Sequence, residues 1–247
     1  MFLVSEQQPK ANPLAEQLAA VLPLLNTHVR NPATIPADAV SWWPRCWPQG
    51  CAFEIAVGAV LTQNTRWQNV EYVLDALANH DVTTPAAVLE RPRASLQTLI
   101  RTAGFYRIKA GYLIHLARFW QHAGGQQALA KLTDEQLQHK LAAVKGLGAE
   151  SVADIMLYGF YRPVWVIDAY TRRFLTRLGF GQIAQKPSSQ LAATLAEATL
   201  AGYSREQAVQ RSALWHGLIV EHSKQHCRKT PDCSHCPLDA LCPKLGV

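Results

Sequence analysis

Four cysteines crowd the end of the chain: Cys227, Cys233, Cys236 and Cys242, with five, two and five residues between successive members. The residues between them (Arg228, Lys229, Thr230, Pro231 and Asp232, then Ser234, His235 and Pro237) are polar and turn-forming. They have little to bury, so something other than an apolar core must hold the segment, and a metal centre can supply that. Three chemistries suit four close thiols. Disulfides need an oxidising compartment, and the opening residues MFLVSEQQPK lack the charged start, apolar run and cleavage site of a secretory signal. Structural zinc usually takes two short Cys pairs parted by a longer insert. Here one Cys-x-x-Cys pair is flanked at equal distances by two lone cysteines. Short-spaced runs of four thiolates suit a cubane 4Fe-4S cluster, and the spacing favours that cofactor over zinc. Cys46 and Cys51 lie far away and read as buried neutral thiols.

A second group lies mid-chain. Lys145-Gly146-Leu147-Gly148 parts two apolar-periodic segments, the first ending near Val144 and the second starting near Ala149. Glycines at 146 and 148 permit positive φ and bare their backbone N–H groups. With a helix N-terminus behind them, those groups make a phosphate-sized anion site. A glycine turn in a plain αα-hairpin has the same local look. About twenty residues on, Val166-Ile167-Asp168 brings a carboxylate to the start of another helix, where N-capping is its simplest role.

The elements that must position these residues read almost entirely as helix. Residues 14–29 set Leu14, Leu18, Val21 and Leu25 on one face. Residues 53–62 are apolar and 67–79 amphipathic. Residues 107–122 repeat apolar positions at Ile108, Tyr112, Ile114, His115, Ala117 and Phe119. Thr133 with Gln136 starts 134–144 as a capping box. Segments 149–160 and 169–178 follow, a helix starts after the Pro187-Ser188-Ser189 loop, and a long helix spans about 204–225 with the cysteine loop hanging from its end. Val164 to Ile167 is short and uniformly apolar, a buried connector rather than a sheet. The fold class is all-α.

The chain has 247 residues, 49% of them hydrophobic, and a formal net charge of +6. That length buries about 70–75% of the unfolded chain's surface. The positive balance favours polyanionic partners, nucleic acid above all. No apolar run reaches the roughly 20 residues of a membrane span.

Lys145 to Asp168 resembles the helix-hairpin-helix, Gly/Pro-rich loop and aspartate signature of the endonuclease III superfamily of DNA glycosylases. The four cysteines resemble the iron–sulfur loop of that superfamily, and Leu61-Thr62-Gln63-Asn64-Thr65-Arg66-Trp67 is similar to the segment carrying its DNA-inserting glutamine. The resemblance implies a two-lobed all-α fold with double-stranded DNA in the cleft of a monomer. One lobe (50–160) is a helical barrel with the hairpin. The other joins 1–49 to 161–247 and carries the iron–sulfur loop 227–242. It also implies a bacterial, cytoplasmic, nucleoid-associated protein with no membrane partner.

In bifunctional members a lysine early in the second hairpin helix attacks the sugar. Here Glu150 holds that position, and a carboxylate forms no Schiff base. The implied enzyme is a monofunctional glycosylase, with Asp168 catalytic, Gln63 filling the gap left by the flipped base, and Lys145, Gly146 and Gly148 on phosphate. The segments around Trp43-Pro44, Trp47-Pro48, Phe53-Glu54, Trp67, Gly104-Phe105-Tyr106 and His216-Gly217 resemble the 3-methyladenine branch. That implies a pocket of Trp67 with Trp43 or Trp47, suited to cationic alkylated purines; Trp43-Pro44 matches by composition, Trp47-Pro48 by spacing. The branch's lysine after His-Gly is replaced by Leu218. Two alternatives stand: an oxidised-pyrimidine glycosylase with lyase activity, and a non-catalytic DNA-binding iron–sulfur protein.

Overall fold

The computed structural model describes residues 12–29 and 51–247. Trp43, Trp47 and Cys46 lie outside the described residues. The described residues are helical or irregular throughout, with no strand among them. Residues 161–168 are irregular, with Trp165, Val166 and Ile167 buried as a connector.

Helix α1 (Pro13–His28) starts where Asn12 Oδ1 accepts from the Leu14 and Ala15 N–H groups, and it buries Leu14, Leu18, Val21 and Leu25. It contains Pro23 in its interior. Helices α2 (Cys51–Thr62) and α3 (Trp67–Asn79) lead to two short ones, α4 (Pro85–Glu90) and α5 (Arg93–Leu99). Neither short helix is legible as a periodic stripe, because six or seven residues span less than two turns.

Helix α6 (Tyr106–His122) buries Lys109, Ala110, Leu113, Leu116, Ala117 and Trp120, while Ile108 is 54% exposed. This corrects the expected face: Leu113, Leu116 and Trp120 make the heavier stripe, and it turns inward. Helices α7 (Gly125–Ala130) and α8 (Asp134–Ala142) follow, the second opened by the Thr133–Gln136 capping box. Helix α9 (Ala149–Asp154) widens into a π turn over Ile155–Gly159. Helix α10 (Ala169–Leu175) also ends in a π turn, Thr176–Phe180. Helices α11 (Gly181–Ala184) and α12 (Ser188–Leu200) lead to α13 (Arg205–Gln225), which Ser204 and Gln207 open with a second capping box.

Two apolar cores organise these helices. One gathers residues between Ala52 and Phe160, from α2 through the first π turn. The other joins α1 to residues between Trp165 and Leu238. A small cluster of Ile55, Leu157, Tyr158, Val166, Val209 and Ala213 lies between elements of both. Among the described residues, no helix is long and apolar enough to cross a membrane.

Candidate active-site cleft

An open cleft of about 1400 Å³ is lined by residues of α2, the hairpin, the connector and the end of α13. That exceeds the roughly 300–1,000 Å³ of a small-molecule pocket and suits a polymer with one nucleotide turned inward. Gln63, Gly146, Gly148, Glu150, Asp168, Lys224, Arg228 and Lys229 all line it.

The hairpin turn has a packing reason for one of its glycines. Gly146 takes φ +103°, and a Cβ there would overlap the root of the Tyr112 side chain. Gly148 instead has φ −86°, with no atom within 4 Å of where a Cβ would stand. This corrects the expectation that both glycines use positive φ; at 148 the gain is open space for close backbone approach. Gln63 is folded onto this turn. Its Nε2 donates to the Gly146 carbonyl at 2.8 Å and to Ser151 Oγ at 3.2 Å.

Asp168 is the N-cap of α10, as its position before Ala169 suggested. Its Oδ1 accepts the Thr171 N–H at 2.7 Å, and its Oδ2 lies 3.9 Å from Nε2 of His216 on α13. His216 Nδ1 is in turn 2.7 Å from the Tyr158 hydroxyl. The residue is 7% exposed, with that exposure in the cleft.

Two more carboxyls share this wall. Glu150 is exposed in the cleft mouth. The protein around it, and then the Asp168 charge, push its carboxyl up to about 7, a push that solvent in the open cleft partly screens. Asp154, one turn further along α9, is driven well above the usual carboxylate range by burial, with Glu150 and Asp168 adding to it. The cleft lining therefore brings Asp168 and two carboxyls held toward their neutral forms together with Arg173, Lys224, Arg228 and Lys229. The basic residues suit a phosphate backbone, and Asp168 suits a positively charged sugar.

Not every expected residue reaches this place. Lys145 is exposed on the hairpin but does not line the cleft, and Trp67 is half-buried against the first core. Asp154, Tyr158 and Arg173 belong to the site without having been singled out from the sequence. The only local signal was the four-residue step from Glu150 to Asp154, which puts both on one helix face.

The cysteines gather around a second cavity. All four are free thiols lining one cavity, together with Phe174, Leu178 and Leu238. Arg177 ties the loop down, donating to Cys227 Sγ at 3.2 Å, to the Arg228 carbonyl at 2.7 Å and to the Lys229 carbonyl at 3.1 Å. Arg173 donates to the Cys227 carbonyl at 2.7 Å, which links the loop to the cleft rim. Among the described residues, no group of three or more His, Cys, Asp or Glu side chains is placed to hold a single metal ion.

A helical hairpin beside an open cleft lined by carboxyls and by four basic residues is an arrangement suited to nucleic acid. Residues 57–199 match the profile of the HhH-GPD superfamily base excision DNA repair proteins, and the chain belongs to that superfamily, the endonuclease III superfamily of DNA glycosylases. It is similar to a Methanocaldococcus jannaschii protein whose assignment as a DNA repair glycosylase is itself provisional, at 36% identity over 79% of this chain and 87% of that one. The H. pylori 3-methyladenine DNA glycosylase bound to 1,N6-ethenoadenine superposes with a TM-score of 0.66 at 28% identity, covering 86% of this chain and 97% of that one. An endonuclease III–DNA complex shares the fold, with a TM-score of 0.69 at 21% identity over 93% of this chain and 95% of that one.

Proposed function

We propose that the protein is a monofunctional DNA N-glycosylase that releases alkylated purines, 3-methyladenine among them, from double-stranded DNA, acting as a monomer. The observation that carries this reading is the neighbour of Asp168 in the cleft wall. It is Glu150, at the place where a strand-cutting enzyme needs an amine nucleophile. The cleft lysine Lys224 is held by Glu221 at 2.7 Å. Similarity to the H. pylori 3-methyladenine glycosylase supports the substrate class.

In the proposed reaction the damaged nucleotide leaves the stack. A purine alkylated on a ring nitrogen is cationic, so when the C1′–N bond breaks, the electron pair goes to the ring and the base departs neutral. Water adds to C1′, and Asp168 stabilises the developing positive sugar or takes the water's proton. Gln63 swings off the hairpin to fill the gap, while Lys145, Gly146 and Gly148 meet phosphate. The proposed stacking aromatics are Trp67 with Trp43 or Trp47; Trp67 must turn from the edge of the first core to take part. The two lobes are 50–160 and 1–49 with 161–247, a division supported by the two separate cores.

Cys227, Cys233, Cys236 and Cys242 are proposed to hold a 4Fe-4S cluster. Four reduced thiols lining one cavity fit that donor set. Burial, with the other cysteines pushing the same way, raises the Cys236 and Cys242 thiols, so four thiolates here call for a cationic centre. Such a centre supplies structure: it fixes the loop. The chain's own Arg173, Lys224, Arg228 and Lys229 then face the DNA.

The test uses duplex DNA methylated to carry 3-methyladenine, with free base and strand breaks measured separately. Base release without breaks, abolished in Asp168→Asn, is expected. No release, or breaks in step with release and a borohydride-trapped adduct, overturns the reading.

A further inference from the structure

A carboxylate that must act on a sugar needs a fixed aim, and Asp168 spends one oxygen on its own helix. Oδ1 is taken by the Thr171 N–H at 2.7 Å. The other oxygen, Oδ2, has His216 Nε2 beside it at 3.9 Å, and His216 Nδ1 meets the Tyr158 hydroxyl at 2.7 Å. These three residues come from three elements: the N-cap of α10, the middle of α13, and the π turn after α9. Widened π turns recur at functional sites because the extra residue re-aims a side chain. The Tyr158 ring also lies 5.8 Å from the His216 ring, and both residues are buried.

Burial, Asp168 and Lys224 each act on the charge state of His216. Asp168 on α10 favours an imidazolium, but burial and then Lys224 on α13 oppose it, and burial prevails, so the ring is held neutral. Tyr158 is driven well above its ordinary range by burial, with Asp154 and Asp168 adding to it, so it keeps its proton to donate. A neutral imidazole has a single N–H. If Nδ1 accepts from Tyr158, the proton sits on Nε2 and points toward the Asp168 carboxylate. The other tautomer would aim a lone pair at that carboxylate. The Asp168 charge favours the first.

We propose that Tyr158 and His216 are positioning residues for Asp168, with Tyr158 donating to Nδ1 of neutral His216 and so fixing the Nε2–H that steadies Oδ2. The contact of 3.9 Å is loose in the free protein, as such contacts often are before substrate binds. This inference rests on Asp168 being the catalytic carboxylate, and its experiment separates the two.

The tautomer is read without substrate. Nitrogen-15 NMR of the nine histidines, with His216 assigned by its loss in His216→Gln, is expected to show a neutral Nε2–H ring at pH 7 that becomes a tautomer mixture in Tyr158→Phe. A proton on Nδ1, or an imidazolium, in the wild type overturns the proposal. In single-turnover base release from the methylated duplex, Tyr158→Phe and His216→Leu should slow the reaction roughly ten- to a hundredfold, with DNA affinity unchanged. His216→Gln, whose amide N–H reaches the Nε2 position, should recover part of the rate. With the N–H beside the carboxylate gone, the pH profile of the single-turnover rate should differ from wild type in both slow variants. If Asp168→Asn is inactive while Tyr158→Phe and His216→Leu keep the wild-type rate and profile, the positioning role fails alone. If Asp168→Asn releases base at the wild-type rate, the functional reading fails first and the positioning role with it.

Discussion

Replacing Gly146 by alanine tests the hairpin turn and separates its architecture from its contacts. The residue sits at φ +103°, and holding an L-residue on the left-handed side costs about 1–2 kcal/mol. The new methyl would also overlap Cβ, Cγ and Cδ1 of Tyr112. Those atoms form the root of the side chain, so the ring cannot swing clear without moving its own backbone. Such overpacking costs about 1–3 kcal/mol. Together the loss is about 2–5 kcal/mol, a large share of the roughly 5–15 kcal/mol that holds a domain together. Guanidinium unfolding followed by far-UV circular dichroism reads it as a lower midpoint with an unchanged slope. Adding Tyr112→Ala should make the double variant less destabilised than the sum of the singles, because the Cγ and Cδ1 overlaps are removed and only the Cβ contact at 2.7 Å remains. Gly148→Ala is the matched control. At φ −86° with no atom within 4 Å, it should hold stability to within about 0.5 kcal/mol while weakening DNA binding, since the methyl stands where a phosphate would approach. A Gly146→Ala protein as stable as wild type would refute the packing argument. A Gly148→Ala protein with wild-type DNA affinity would refute the close-approach argument.

Other consequences follow from single residues. Glu150, raised from 4.5 to about 7, is protonated in the folded chain while ionised in the unfolded one between those values; wild-type stability should therefore fall as pH rises through that window, and Glu150→Gln should flatten the slope in thermal melts. Lys109 is buried and donates to the Leu61 and Ala103 carbonyls, both at 2.8 Å; Lys109→Met should cost about 1–3 kcal/mol at neutral pH through those stranded acceptors, read by urea unfolding. Burial lowers the Lys109 ammonium from 10.5 to about 8, so the unfolded chain holds the extra proton in that range and wild-type stability should rise with pH across it, a rise absent from Lys109→Met. Cys233→Ser should lower iron content and DNA affinity together; affinity that survives complete loss of iron would refute the docking role given to the loop.

Much of this protein was written locally. The stripe Leu14–Leu18–Val21–Leu25, both capping residues of α8, the start of α13 and the cap at Asp168 were legible because each depends on partners within four residues. The cysteine spacing and the glycine turn were legible for the same reason. The face of α6 was misjudged because two apolar stripes compete on it, and only packing against α2 and α4 chooses between them. The meeting of Glu150, Asp154, Tyr158, Asp168 and His216 depends on where α9, α10 and α13 come to rest against one another. Sequence alone determined the longer helices, the hairpin and the thiol run, since hydrogen bonds and side-chain periods act over a turn or two. Tertiary structure alone decided which carboxyls share a wall, that His216 stands behind Asp168, and that Gly146 rather than Gly148 needs its missing side chain, because burial and the distance between charges are set by segments far apart in the chain.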